Sequence, residues 1–284
     1  MVIDTLHLHT FKNISAKSTL PSNKSDPIGI FDSGVGGLSI AKRITEHLPK
    51  EQLIYIADSQ YAPYGDISNQ QIIERVNIIA DELINKKCKA IVIACNTATV
   101  NAIDQLRERL SVPIIGVEPA IKPAATLSKA KKIGILVTQA TANNERFIAL
   151  VNQHKNDAEV FIQPCLGLVE LIEQGQQKSE KFNLLLNQYL SPLITKKIDT
   201  LVLGCTHYPF MSDAIKAIMP NNVQLLETAT PVSEQLKRQL AKHQLLATHP
   251  PKTAHKFYSS STNPRQNEIF SQLWQSEIKV NLFK

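Results

Sequence analysis

Twice along this chain, short apolar runs alternate with amphipathic stretches, and that order constrains the fold more than any other feature. In the first half, strands are predicted at 27–32 (PIGIFD), 52–57 (QLIYIA), 90–94 (AIVIA) and 113–117, with helices at about 37–48, 68–85 and 97–110. The second half repeats the order, with strands at 132–137 (KIGILV), 158–162, 199–203 (DTLVL) and 223–227, and helices at about 142–153, within 165–196 and at about 209–219. Strands joined through helices run parallel, and a parallel sheet is covered by helices on both faces. The helix over 97–110 carries Val100, Ile103, Leu106 and Leu110 on one stripe, as burial of one face requires. A cysteine directly follows the third strand of each half, and the distance to the fourth strand matches: 113 − 95 and 223 − 205 both give 18.

The expected fold class is therefore α/β, with two similar parallel-sheet α/β domains facing each other across a cleft. Residues 1–25, rich in Ser, Lys and Asn and punctuated by Pro21 and Pro27, are expected to form a flexible N-terminal extension. Residues 26–120 with 229–284 make the first domain and 121–228 the second, hinged near 118–131 and 227–231. The tail, with a helix at 231–242, the run HKFYSSS and a helix near 264–274, has no counterpart in the repeat and is assigned to the first domain.

With 284 residues, 43% of them hydrophobic, the chain can bury two cores. It contains no run of some 18 apolar residues and no apolar secretory core near its start, so a soluble, cytoplasmic protein without a membrane partner is expected. The net charge of +6 gathers small contributions from lysines where helices end, such as Lys86-Lys87 and Lys196-Lys197. They complement helix dipoles and do not form a nucleic-acid surface. The four cysteines include no CxxC pair, so neither a disulfide frame nor a Cys-rich zinc site is expected, and no metal is called for.

Ligands of open parallel sheets bind beyond the carboxyl ends of the strands, where helix N-termini attract anions and acidify thiols. FDSGVGG (31–37), ACNTAT (94–99) and GCTHYP (204–209) occupy such places. A lone buried cysteine is usually a small hydrophobe. Two in matching strand-end settings, Cys95 before Asn96 and Thr97, and Cys205 before Thr206 and His207, point to thiol chemistry. Opposed thiols suit removal of a proton from one face of a carbon and its return to the other, because a thiol works as acid or base near neutral pH. Asp32 could orient an amino group, take a proton from a thiol or cap a helix, and His207 could tune Cys205. The backbone of Tyr61-Ala62-Pro63-Tyr64-Gly65, after the second strand, can approach the same cleft, although as a plain turn it would need no ligand. Glu170 and Glu173 have a solvated helix face as their default. Cys88 and Cys165 lack the strand-to-helix setting and are read as structural.

Together IGIFDSGVGGLSI, PYG, IACNTAT, PIIGVEPA and LGCTHYP, in this order from about residue 27 to 231, resemble the glutamate racemases of the aspartate/glutamate racemase superfamily. The resemblance implies a cofactor-independent isomerase that interconverts L- and D-glutamate and supplies D-glutamate for peptidoglycan in a walled bacterium. It makes Cys95 the base toward D-glutamate and Cys205 the base toward L-glutamate, assisted by Asp32, His207 and Glu173, with Glu170 near enough in sequence to compete for that last role. It also makes Asp32, Ser33, Tyr64, Gly65, Asn96, Thr97, Thr206 and His207 the substrate shell. A homodimer and a binding role toward DNA gyrase, which some of these enzymes are reported to have, are left open by the residues. Two rivals remain. An aspartate racemase differs mainly in cleft length. A nucleotide-dependent oxidoreductase is echoed by Gly34-Val35-Gly36 and by Asp58 after the second strand, but Ser39 stands at the third glycine position and both cysteines go unexplained.

Overall fold

The structure is a computed structural model and describes residues 23–283; the extension expected over 1–25 lies, apart from 23–25, outside the described residues. The first half runs β1 (Ile28–Asp32), α1 (Leu38–His47), β2 (Leu53–Ala57), α2 (Asn69–Asn85), β3 (Ala90–Ile93), α3 (Asn96–Arg109) and β4 (Ile114–Gly116), and α4 (Ile121–Leu127) leads out of it. The second runs β5 (Lys132–Val137), α5 (Gln139–Ala142), α6 (Glu145–His154), β6 (Glu159–Pro164), α7 (Leu168–Glu173), α8 (Glu180–Thr195), β7 (Thr200–Leu203), α9 (Ser212–Ile218) and β8 (Gln224–Leu226). The tail adds α10 (Ala229–Lys242), β9 (Lys256–Ser259), α11 (Gln266–Trp274) and β10 (Val280–Leu282).

All strand pairings are parallel and make two sheets, ordered β10-β9-β2-β1-β3-β4 and β6-β5-β7-β8. Without the two tail strands, each sheet reads second, first, third, fourth, so the repeat seen in the sequence is a repeat of topology. Both sheets are buried on two faces. In β1, Ile28 and Ile30 enter the core under α1 and α10, while Phe31 enters the core under α2 and α3, the period of two expected of a strand. Leu201 and Leu203 of β7 pack with α7, α8 and α9, and Val202 packs with α4 and α6 on the opposite face.

Local chemistry sets the boundaries. Ser68 and Gln71 form a reciprocal capping box at the start of α2, which satisfies two of its orphan N–H groups. The single helix expected at 142–153 is two: Asn144 accepts from the Phe147 N–H at 3.2 Å and so caps α6 afresh after the short α5. At 209–219 a 3-10 turn, Tyr208–Met211, precedes α9. The tail joins the first sheet through β9 beside β2 and through a buried ion pair. Lys89 reaches Glu51 at 2.6 Å, and Glu51 in turn accepts from the Ala247 N–H at 2.9 Å. Among the described residues, no helix is long and apolar enough to cross a membrane.

Candidate active site

The site lies where the carboxyl ends of the two sheets meet. Ser33, Pro63, Tyr64, Gly65, Cys95, Asn96 and Thr97 from the first lobe, and Thr138, Val169, Cys205, Thr206 and His207 from the second, line one pocket. Its free space is about 10 Å³, room for a single water.

Cys95 leaves β3 and is itself the N-cap of α3: its Sγ accepts from the Ala98 N–H at 3.4 Å. The thiol donates to Ser33 Oγ at 3.5 Å. Burial pushes Cys95 well above the usual thiol range and the charge of Asp32 adds to this, against the opposing pull of Ser33 and the Ala98 N–H. Cys205 has no helix cap, but its Sγ lies 3.7 Å from His207 Nδ1. The other imidazole nitrogen, Nε2, lies 2.5 Å from Glu173 Oε1, and that same oxygen accepts from the Val35 N–H at 2.7 Å. Burial would lower His207, yet its hydrogen bonds to Cys205 and Glu173 and their charges hold it well above the usual histidine range. A Cys–His–Glu chain thus runs through the second lobe and is tied to the first by the Val35 N–H. Glu173, whose side chain is 13% exposed, is the carboxylate at this cysteine; Glu170, also on α7, makes no bond to His207 or Cys205 among the described residues.

The glycines of the DSGVGG segment give this chain its room. A methyl group at Gly34 would sit 1.8 Å from Glu173 Oε1, and one at Gly36 would sit 2.5 Å from His207 Nδ1. These glycines are filled by protein side chains and do not form a phosphate cradle. Asp58, the acidic residue of the nucleotide-binding reading, is fully buried, receives two bonds from Arg75 at 2.8 Å and one from the Tyr64 hydroxyl at 2.7 Å, and so cannot meet a ribose.

Asp32 ends β1 and is fully buried. Its Oδ2 accepts from the Gly37 N–H at 2.6 Å and from Thr206 Oγ1 at 3.5 Å, so it reaches the start of α1 as a cap would, while Oδ1 has no partner among the described residues. Burial raises Asp32 from the ordinary carboxylate range to about 6, although the charge of His207 pulls the other way. Asn96 is likewise buried with neither side-chain polar atom partnered among the described residues. Buried polar atoms left open in this way mark a place for an oriented polar ligand.

Two lining residues, Thr138 and Val169, were not among those expected. Thr138 Oγ1 lies 3.1 Å from Thr97 Oγ1 and 3.0 Å from Thr141 Oγ1, a hydroxyl cluster that joins the lobes. The repeat carries its signal, because Thr138 follows β5 as Ser33 follows β1. Cys165 does directly follow β6 and so has the strand-end position it was thought to lack. Its thiol nevertheless donates to the Gln163 carbonyl at 3.4 Å, and burial pushes it up to about 12. Among the described residues, no three His, Cys, Asp or Glu side chains gather to hold a metal ion.

Residues 28–235 match the family model of Asp/Glu/hydantoin racemases. A glutamate racemase of Ectopseudomonas mendocina is 43% identical over 258 residues, 90% of this chain and 98% of the relative. Among solved structures, a glutamate racemase isoform from Bacillus anthracis superposes with a TM-score of 0.83 at 31% identity, covering 92% of this chain and 98% of its own. The glutamate racemase of Francisella tularensis, solved in complex with D-glutamate, gives 0.81 at 31% identity over the same shares.

Proposed function

Because this chain belongs to the Asp/Glu/hydantoin racemase family, we propose that it is a glutamate racemase that moves the α-proton between Cys95 and Cys205 without a cofactor. One observation carries the reading: sulfurs from corresponding strand ends of the two lobes line a single pocket. From L-glutamate, the Cys205 thiolate takes the α-proton and becomes a thiol. The electron pair left on carbon is then protonated from the opposite face by the Cys95 thiol, which gives D-glutamate and a Cys95 thiolate. The reverse reaction starts from Cys95. Neither step consumes an oxidant or a second substrate.

The surrounding groups fit these roles. His207 puts positive charge next to the sulfur that must be anionic in one half of the cycle, and Glu173 holds that imidazole in place. Asp32, raised to about 6 by burial, is poised to exchange a proton at the Cys95 side or to meet the substrate ammonium with its open Oδ1. Ser33, Asn96, Thr97, Thr206 and the backbone of Tyr64-Gly65 supply donors for the two carboxylates, which stabilise the negative charge as it develops. In this reading the enzyme works in the cytoplasm and its D-glutamate enters peptidoglycan synthesis. Residues 26–120 with 229–284, and 121–228, act as the two moving bodies.

The paired cysteine variants test the assignment. Cys95→Ser and Cys205→Ser should each lose racemisation by at least about a thousandfold, since a serine hydroxyl is not an anion near neutral pH. With a β-chloroglutamate, which expels chloride after proton abstraction, Cys205→Ser should still consume the D form and Cys95→Ser the L form. If both variants preferred the same enantiomer, the assignment would fail.

A further inference from the structure

One pocket wall is the Pro63–Tyr64–Gly65 turn, which lies between Tyr61 and α2, belongs to no helix or strand, and packs its Tyr64 in one cluster with Cys95. Tyr64 in this turn is nevertheless 1% exposed. Side chains outside the pocket hold it. The Tyr64 hydroxyl donates to Asp58 Oδ2 at 2.7 Å, and Arg75 of α2 donates from Nε to Oδ2 and from an Nη to Oδ1, both at 2.8 Å. The Arg75 guanidinium lies 4.0 Å over the Tyr61 ring, which caps the chain at the surface. Asp58 also donates its backbone N–H to the Asp32 carbonyl at 2.9 Å, so the chain is anchored to the strand that carries the central carboxylate.

The Tyr64 phenol is therefore committed to Asp58, and Tyr64 faces the pocket with its ring and backbone. Neither the Tyr64 nor the Gly65 backbone N–H has a protein acceptor among the described residues, so both can receive an anionic group. A turn that presents two free N–H groups binds well only if it is already ordered before the ligand arrives. The guanidinium suits that task, because its planar fork fixes both carboxylate oxygens at once where an ammonium would hold one.

We propose that Arg75 and Asp58 are positioning residues for substrate: a buried Tyr64–Asp58–Arg75 clamp, closed by Tyr61, pre-forms the Pro63–Gly65 wall beside Cys95. This rests on reading the pocket as the glutamate site. No clamp residue hydrogen-bonds either sulfur, so the clamp acts on binding and not on proton transfer.

The test uses Arg75→Met, Arg75→Lys and Tyr61→Leu in the full chain, with KM and kcat for both enantiomers and amide hydrogen exchange across residues 59–66 without substrate. Arg75→Met should raise KM about tenfold or more in both directions, leave kcat within about threefold, and speed exchange in 59–66 about tenfold or more. Arg75→Lys, which keeps the charge and loses the fork, should fall between Arg75→Met and wild type. Tyr61→Leu should shift both readouts the same way by a smaller factor. Should Arg75→Met fail to fold, the other two carry the test. Unchanged KM, or exchange across 59–66 unaltered whatever the melting temperature, overturns the clamp. Faster exchange in the variants together with a wild type that ignores glutamate would sustain the clamp and refute the glutamate reading; a wild type that racemises glutamate with exchange unmoved in the variants would do the reverse.

Discussion

At the scale of single residues, the site works with charges held where water does not reach them. Asp32 shows the cost. A carboxyl whose folded pKa is about 6 against an ordinary 3.8 binds its proton more tightly in the folded state, so folding stability from this group is full below about 4 and is lost as pH rises through about 6. Asp32→Asn removes that loss. The variant should therefore be more stable than wild type at pH 8, by on the order of 1–3 kcal/mol in denaturant unfolding, with the advantage shrinking as pH falls from 6 to 4. Its racemase activity should drop sharply at every pH. An Asp32→Asn protein that is less stable at pH 8, or fully active, would remove the carboxylate from the scheme. The residues with the strongest chemical signatures, Cys95, Cys205, Asp32 and His207, were legible from the sequence because strand ends followed by helix starts are where parallel sheets bind ligands. Choosing Glu173 over Glu170 was not, because sequence places them three residues apart on one helix and only the Gly34 hollow decides which reaches His207.

At the scale of elements, the glycine-rich turn after β1 and the helix α7 are built for each other across the lobes. Gly34→Ala should fold, because the atom its methyl meets is the far end of the Glu173 side chain, which can swing away. It should lose the His207 contact, and kcat/KM should fall about tenfold to a hundredfold. The two enantiomers are equal in energy, so the fall must be the same in both directions. Elimination from a β-chloro-L-glutamate, which needs Cys205 alone, should slow, while elimination from the D form stays within about twofold. Equal slowing of both would place Glu173 outside the Cys205 half. The order of strands and helices was readable because hydrophobic runs and their spacing repeat, and the two sheets share one order. Four features were not: α4, which occupies a segment read as linker, the break between α5 and α6, β9 inside the run HKFYSSS, and β10 at the sheet edge. β10 has only three residues, two of them exposed, so it leaves no apolar run to detect.

At the scale of the whole molecule, a pocket of about 10 Å³ between the lobes has no room for an amino acid as it stands, so glutamate enters only if the lobes part or the pocket wall opens. The contacts across the lobes include polar ones, Glu173 to Val35, Thr206 to Asp32, Ser39 to the Thr206 carbonyl, Thr97 to Thr138 and Thr141, and Arg146 to Asp104 and Glu118, and apolar ones, since Val100 and Phe210 each pack against the other lobe's core. Glutamate seated between parted lobes must hold them further apart than here, so small-angle scattering should show a larger radius of gyration with saturating glutamate than this arrangement gives. An unchanged radius would point to a pocket that opens locally instead. The central claim, two bases on opposite faces of one carbon, is tested most directly by racemising L-glutamate in D2O with chelator-treated, pyridoxal-free protein and following the α-hydrogen of both enantiomers. The D-glutamate formed early should carry deuterium at its α-carbon while the remaining L-glutamate keeps its original proton, because each face exchanges through its own cysteine. Deuterium entering the L-glutamate pool as fast as D-glutamate forms, or no D-glutamate at all, would contradict the account.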